Sequence, residues 1–474
     1  MKPMNKERCR GLTLAFCLAF ISLGVLACSY SSDTASSAYT LSDGEILTGS
    51  ISANVKITVA DGATLTLKNV TIDGEGDGSS AWAGLTCLGD AEIILEGENT
   101  VTAFSELYSG IFVPEGKTLT IRGSGSLTAR GRAYGAGIGA CGDIPCGKIV
   151  ICSGTITAIG GQGAAGIGGG EGDGEDEEGN CEAITIEGGT VSAFGGSSAA
   201  GIGGGFGTLC GNIAIRGGSV TAVGGEGGSG IGSGDQSYAS SGSVTISGGT
   251  VAAVGGEYAS GIGCGFMGYW GDIIIEGGII TASAGDDAVG IGSGYSPSRC
   301  GDITISGGYV TARGTNRGAA IGSGLYEYAE CGDIAISGGS IDAIGGSQGG
   351  SGIGTSRYSS CGAITVSGGS VTAKGGHTAA GIGTSYKGAY DSISISGGRV
   401  TATGGAGAAG IGTGYETACT GDITVTDGVT SLTATGASSA DSIGAGEDGT
   451  CGRVTVGGVV GAVTENPYTY TPGN

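Results

Sequence analysis

For a chain of 474 residues, the sequence is poor in charged residues, proline and histidine. Only 13% of the residues are charged, too few for a long solvated disordered chain, and 6 prolines are too few for collagen. A single histidine, His377, and the absence of a nucleophile elbow, a P-loop or a zinc motif leave little for common catalytic mechanisms. The formal net charge of −23 without a basic patch disfavours nucleic acid as a partner. These shortages indicate a non-enzyme.

The N-terminus predicts export. Lys2 to Arg10 is basic and Gly11 to Ala27 is apolar, which is the pattern of a signal peptide over residues 1–27. The run Val25-Leu26-Ala27-Cys28 resembles the lipobox of bacterial lipoproteins, and this resemblance implies that Cys28 is lipidated. Ordinary cleavage after Ala27 without a lipid is the alternative. Since no later stretch is apolar enough to span a bilayer, we expect an exported protein, lipid-anchored at the cell surface or outer membrane, with residues 28–40 as a Ser-rich tether.

Glycine is abundant, at 110 residues, and it follows a repeat. A Gly-Ile-Gly triplet recurs at intervals of 29 to 35 residues, with Ala in place of the first glycine before Ile321 and a degenerate last copy around Ile443. A fixed minimum length with occasional additions predicts one structural unit with one variable loop. The central isoleucines are Ile138, Ile167, Ile202, Ile231, Ile262, Ile291, Ile321, Ile353, Ile382, Ile411 and Ile443.

Each unit contains three short stretches in which apolar and polar residues alternate. Ile303 and Ile305 would face inward in the first stretch, and Val310 and Ala312 in the second. The third stretch contains the central isoleucine. Because one unit cannot bury its own apolar face, the pattern predicts an all-β, right-handed parallel β-helix of about eleven stacked coils, each of about 30 residues and three strands. We expect irregular N-terminal capping coils over 41–130, regular repeats over 131–456 and a C-terminal cap over 457–474.

A family resemblance rests on the runs EIILEGENTVTAF and SGIFVPEGKTLTIRGSGSLTARG and on the repeated GAGIG and CGDITISGG units. These resemble the Gly-rich β-helix repeats of surface proteins from anaerobic gut bacteria, over nearly all of residues 60–456. Such proteins are often described as carrying a carbohydrate-binding domain, so the resemblance implies a polysaccharide or cell-surface glycan as the partner. A more distant similarity is to pectate-lyase-like β-helices. The sequence lacks their stacked Asn ladder, and no catalytic residue is transferred.

Aromatic residues are scarce, at 5% of the chain, yet they concentrate just after the central isoleucines. Stacked at the spacing of the coils, they could contact the apolar faces of sugar rings along a polymer. The alternative is a structural ladder that shields one corner of the core. The candidate carbohydrate-binding residues are Phe266, Trp270, Tyr295, Tyr326, Tyr358, Tyr386 and Tyr415.

Glycines flank the central isoleucines, as Gly201 and Gly203 do around Ile202. If these glycines point outward, one face of the solenoid is nearly bare and suits a flat partner. The alternative is that glycine is needed there because the chain packs closely.

A cysteine recurs at the corner before the first strand of many units. Neighbouring coils would place such cysteines near disulfide distance, and Cys300 with Cys331 is the pair we consider for a disulfide. Free thiols in a small apolar column are the alternative. The column comprises Cys146, Cys181, Cys210, Cys300, Cys331 and Cys361.

One loop, EGDGEDEEG, is strongly acidic. Its carboxylates at Asp173, Glu175 and Asp176 are hard oxygen ligands of the kind that Ca²⁺ prefers, although the loop does not follow the EF-hand pattern. The alternative is a solvated run of charge, and no other cofactor is expected.

Three hypotheses about function follow from the sequence. The first is a non-catalytic surface module that binds carbohydrate or mediates adhesion along one edge of the solenoid. The second is a structural or self-associating surface stalk. The third is a polysaccharide lyase or hydrolase of β-helix type, which would need two carboxylates placed across coils.

Overall fold

The protein consists of strands, and no described residue lies in a helix. The computed structural model describes residues 25–30, 37–52, 55–74, 82–173, 179–239 and 242–472. The strands form a parallel β-solenoid of about 13 turns, which confirms the predicted fold class and lies close to the eleven coils expected. Within the described ranges, no helical segment of a length and hydropathy that would cross a membrane is found.

Face 1 contains the first strand of each turn. In Ile303–Ile305 both isoleucines are buried and Thr304 is partly exposed, as the alternation predicts. Ile303 pairs in register with Ile273 and with Ile334, so that identical positions form columns. The strands of face 1 are Val25–Tyr30, Ile46–Ser52, Ala63–Asp73, Ala91–Glu96, Thr118–Gly123, Cys146–Ile151, Cys181–Ile186, Cys210–Ile215, Val244–Ile246, Ile273–Ile275, Ile303–Ile305, Ile334–Ile336, Ile364–Val366, Ser392–Ile395, Asp422–Val425 and Val454–Val456.

Face 2 contains the second strand of each turn, which buries small side chains. In Tyr309–Arg313 the buried positions are Val310 and Ala312, as predicted, while Tyr309 and Arg313 are exposed. The long strand Ala63–Asp73 turns the corner and contributes to both faces. The other parallel strands of face 2 are Glu98–Thr102, Ser126–Arg130, Thr155–Ile159, Thr190–Phe194, Ser219–Val223, Thr250–Val254, Ile279–Ser283, Tyr309–Arg313, Ser340–Ile344, Ser370–Lys374, Arg399–Thr403 and Ser431–Thr435.

Face 3 contains the third strand, which from Ile138 onward is the Ile-Gly dipeptide. The isoleucines of this column are fully buried and complete the narrow core. Four earlier strands extend the same column, because the described residues between 37 and 112 also fold into turns although they lack the Gly-Ile-Gly triplet. The strands of face 3 are Ser37–Leu41, Val55–Val59, Leu85–Cys87, Ile111–Phe112, Ile138–Gly139, Ile167–Gly168, Ile202–Gly203, Ile231–Gly232, Ile262–Gly263, Ile291–Gly292, Ile321–Gly322, Ile353–Gly354, Ile382–Gly383, Ile411–Gly412 and Ile443–Gly444.

A short fourth face lies at the corner before face 1, and a cap closes the C-terminal end. At the cap the strand Val459–Val460 pairs antiparallel with face 1, and Tyr468–Tyr470 pairs antiparallel with face 2. An antiparallel strand ends the parallel stack and protects its edge. The strands of face 4 are Ser298–Cys300, Ala329–Cys331, Ser360–Cys361 and Ala389–Tyr390.

The glycines of face 3 are needed for close packing between turns. Gly322 has a φ of +134°, and a Cβ on it would lie 1.8 Å from the carbonyl oxygen of Gly354 in the next turn. Gly352 precedes the isoleucine of its own turn, Ile353. A Cβ on Gly352 would lie 2.6 Å from the carbonyl oxygen of Gly381. Both kinds of glycine are buried. These positions are covered by the chain itself, so of the two alternatives the structure supports close packing and not a bare face for a flat partner.

Candidate functional site

A continuous row of aromatic rings, which we call the aromatic ladder, follows face 3 along one edge. Six of the seven sequence candidates belong to it, and each of its side chains is partly exposed. Consecutive ring centroids are 5.0 to 6.4 Å apart, within the range of favourable aromatic pairs. The members in spatial order are Phe266, Tyr258, Tyr295, Tyr326, Tyr358, Tyr386 and Tyr415.

Hydrogen bonds between turns fix the loops that carry the ladder. The amide of Tyr326 donates to the carbonyl of Arg357 at 2.8 Å, and the amide of Tyr358 donates to the carbonyl of Tyr386 at 3.1 Å. Beneath the loops, buried hydroxyl groups accept amides of the next turn, as Ser293 Oγ does from Gly324 at 2.8 Å. The sequence analysis missed this hydroxyl column. Its signal is a Ser or Thr two residues after the central isoleucine.

Three ladder residues have a positive φ, and the first of them is Tyr258 at +65°. Tyr326 has a φ of +73° and Tyr358 a φ of +59°, in the left-handed region that bulky residues rarely adopt. In other turns the ladder ring comes from the fourth residue after the isoleucine, but here it comes from the fifth. Leu325 is buried at the fourth position of one turn, and Arg357 takes that position in the next. The fifth residue after the isoleucine also has a positive φ in other turns, as at Met267, Lys387 and Glu416, so this conformation belongs to the repeat.

An open groove of about 400 Å³ lies beside these two residues. Tyr328 projects at its side with 67% of its surface exposed, and its φ of +72° is again positive. Three tyrosines with a carboxylate and a hydroxyl are the mixture of apolar surface and polar groups that sugar-binding sites use. The groove is lined by Ser296, Tyr326, Glu327, Tyr328 and Tyr358.

Cationic side chains lie over the ladder rings. The Arg317 guanidinium is 5.6 Å from the Tyr326 centroid, and its Nη1 donates to the Tyr326 hydroxyl at 2.6 Å. Arg317 also forms a two-point ion pair with Asp287, whose Oδ1 lies 3.1 Å from Nε. That ion pair raises the pKa of Arg317. The guanidinium therefore remains charged and holds the Tyr326 ring in place.

Trp270 is the candidate that the structure does not bring to the ladder. Its side chain is only 3% exposed and lies in the core at the cysteine corner. A sugar could not reach it, so Trp270 is not part of the proposed contact surface. Tyr258, by contrast, belongs to the ladder but was missed because it comes from the loop between faces 2 and 3.

The cysteine column exists as predicted, with Cys300 in register with Cys331 and Cys331 with Cys361. Its cysteines are free thiols, and the considered Cys300–Cys331 disulfide is not formed. Parallel in-register strands repeat their Cβ atoms at about 4.8 Å, beyond the roughly 3.5–4.5 Å of a disulfide. Burial raises the pKa of the Cys361 thiol, which disfavours the reactive thiolate.

Calcium binding by the acidic loop stays a prediction. Asp173 is described, whereas Glu175 and Asp176 lie outside the described residues, as do residues 1–24 and the side chain of Cys28. Within the described ranges, no group of three or more acidic, Cys or His side chains could hold a metal ion.

A second ladder, of aspartates, joins the turns at the start of face 1. The amide of Asp302 donates to Oδ1 of Asp272 at 2.9 Å, and the amide of Asp333 donates to Oδ1 of Asp302 at 2.8 Å. Each carboxylate thus accepts a charge-assisted hydrogen bond from the next turn. These aspartates have a structural role that needs no bound cation.

Comparison with known proteins agrees with this architecture. A family model described as a beta helix repeat matches eight segments. The chain carries beta helix repeats. The matched segments, which run from face 1 to the ladder loop in the later turns, are 119–143, 149–171, 184–206, 213–235, 244–266, 303–325, 364–386 and 393–415. No curated protein and no solved structure matches the chain. Since beta helix repeats occur in enzymes and in non-enzymes, the match identifies the architecture and leaves the activity open.

Proposed function

We propose that the chain is a non-catalytic cell-surface lipoprotein that binds polysaccharide along the aromatic ladder. The observation that carries the proposal is the groove at Tyr326, Tyr328 and Tyr358, where the exposed Tyr328 lies beside the ladder. The signal-like N-terminus and the lipobox resemblance at Cys28 support export and anchoring, which would direct the solenoid toward extracellular polymers.

The chemistry of the groove suits a sugar ring. Tyrosine faces stack on apolar C–H surfaces, and tyrosine hydroxyls exchange hydrogen bonds with sugar hydroxyls. The ladder repeats with the strands, at about 4.8 Å per turn. A polymer lying along the edge would therefore meet a new ring at each turn, and several weak contacts would add up.

The test is Tyr328→Ala, measured by glycan array and by calorimetry on the glycans that bind. Tyr328 makes no aromatic contact within the ladder, so its removal should leave the solenoid folded. We expect about a tenfold loss of affinity. The matched control is Tyr309→Ala, since Tyr309 is 68% exposed but lies on face 2, away from the groove. Equal binding by both variants and the unaltered protein would reject the groove as the site.

A surface stalk is the second candidate function, and the self-contacts of the ladder favour it. Its rings pack on one another and on cations, as they would if they only shielded a corner of the solenoid. In that case the array would show no glycan binding by the unaltered protein.

A catalytic function has one observation in its favour. Burial and then the charge of Asp143 raise the pKa of Glu171, which is a feature of general acids. Release of unsaturated or reducing sugars from the polysaccharides that bind would support this candidate over a purely binding role.

A further inference from the structure

Two cations lie together on the ladder next to the groove. The Arg357 guanidinium carbon is 4.8 Å from the Tyr386 ring centroid and 5.9 Å from that of Tyr358. Lys387 Nζ is 5.1 Å and 5.8 Å from the same two centroids. Tyr358 also lines the groove. The cation pair and the groove are therefore parts of one continuous surface.

Neither cation forms a direct ion pair among the described residues, as Arg317 does. Arg317, one turn earlier, forms an ion pair with Asp287, but no ion pair among the described residues includes Arg357 or Lys387. The Tyr386 hydroxyl and, to a smaller extent, the charge of Glu416 raise the pKa of Lys387, and Glu416 accepts a hydrogen bond from the same hydroxyl at 3.2 Å.

The Arg357 Nε is a buried donor that finds no hydrogen-bond partner within the described part of the chain. Unpaired buried donors are rare because each costs free energy. Arg357 also occupies the position where other turns carry a ladder ring, and the ring of this turn comes from the next residue, Tyr358. Two neighbouring cations without a direct ion pair among the described residues make this part of a protein of net charge −23 locally more positive.

We propose that the groove recognises an acidic saccharide, with a carboxylate or sulfate held by Arg357 and Lys387 while the sugar ring packs on Tyr328 and Tyr358. This inference rests on the proposed carbohydrate-binding function. A dense polyphosphate is a poorer fit, because one pair of cations on an acidic protein matches a single anionic group and repels a long phosphate chain.

The experiment compares glycans that differ only in charge. Hexagalacturonate and its methyl ester share their sugar rings, and the array adds sulfated and sialylated glycans with their neutral parents. We expect the acidic member of at least one pair to bind more tightly and to lose affinity as salt is raised. In the Arg357→Gln/Lys387→Gln variant that preference should fall by about tenfold for each cation removed.

The matched control is Lys374→Gln/Arg453→Gln, which makes the same change in net charge at two exposed cations away from the groove. Circular dichroism of both variants shows whether the solenoid remains folded. Binding of neutral glycans alone, or equal preference in both double variants, would overturn the inference and leave carbohydrate binding intact. If the unaltered protein bound no glycan at all, both this inference and the proposed carbohydrate-binding function would be overturned. Equal affinity for a polyphosphate of matched charge would also contradict the inference.

Discussion

The turns around Ile202 and Ile231 have the same face 3 strands as the turns from Ile262 to Ile411, but the two regions differ along the ladder edge. In the earlier region the ladder position holds Phe206, which has no ring neighbour among the described residues, and then Asp235. In the later region every turn adds a ring. The isoleucines and glycines build the backbone in both regions, so the ladder is not required for the fold. The ladder is an additional feature of one part of the solenoid, and both parts share the same repeating turns.

The largest expected effect tests the common framework. Gly322→Ala places a Cβ against the Gly354 carbonyl at 1.8 Å, and Gly203→Ala places one against the Gly232 carbonyl at 1.9 Å. Because backbone atoms of the next turn cannot easily move away, we expect each variant to lose about 3–4 kcal/mol of unfolding free energy. Denaturant unfolding followed by circular dichroism measures this loss, which should be similar in the two regions.

Gly62→Ala is the control for the cost of the backbone conformation alone. Gly62 has a φ of +77°, and no atom lies within 4 Å of its would-be Cβ. Its substitution should cost about 1 kcal/mol. If Gly62→Ala is as damaging as Gly322→Ala, close packing between turns is not the reason for the glycine column.

The second-largest expected loss of stability should differ between the two regions. Tyr295 contacts the rings of Tyr258, Phe266 and Tyr326, so Tyr295→Ala removes three aromatic contacts. We expect a loss of about 2 kcal/mol, measured by the same unfolding experiment. Phe206→Ala, its counterpart in the earlier region, should cost clearly less. A comparable loss at both positions would mean that the ladder adds no stability beyond the burial of each ring.

Much of the fold could be predicted because the solenoid repeats. The alternation at Ile303 and Ile305 and the spacing of Gly-Ile-Gly indicate inward columns and stacked turns without knowledge of any long-range contact. The turns before residue 131 were harder to count, because Leu and Val replace the isoleucines and the triplet is missing. Length variation lies in the loops, and the spacing already shows that the aromatic residue comes one position later at Tyr326 and Tyr358.

Part of the site could be predicted because the aromatic residues follow the same repeat. Aromatic residues at a fixed distance from each isoleucine predicted one edge, but not whether a ring points toward solvent or into the core. Trp270 follows the same loop and yet is buried at the cysteine corner. Arg317 and Asp287 are one repeat of 30 residues apart, so the period predicts that they lie in neighbouring turns, but the ion pair between them became visible only in the structure.

The smallest expected effect concerns the residue that interrupts the ladder. Burial raises the pKa of Asp235 to about 6, and its Oδ1 finds no hydrogen-bond partner among the described residues. The folded chain thus keeps this proton to a higher pH than the unfolded chain, whose aspartate titrates near pH 3.9. The stability that Asp235 contributes is therefore complete below about pH 4 and is lost as the pH rises through about 6.

Asp235→Asn should remove this loss, because an amide does not ionise. Relative to the unaltered protein, the variant should gain stability between pH 4 and pH 7, by on the order of 1 kcal/mol after allowance for partial exposure. Unfolding midpoints measured across this range test the sign, with Asp286→Asn as a control that removes an exposed carboxylate. If the unfolding midpoint of the variant equalled that of the unaltered protein at every pH, the ionisation of Asp235 would not lower the stability. The earlier region would then interrupt the ladder with an ordinary surface residue.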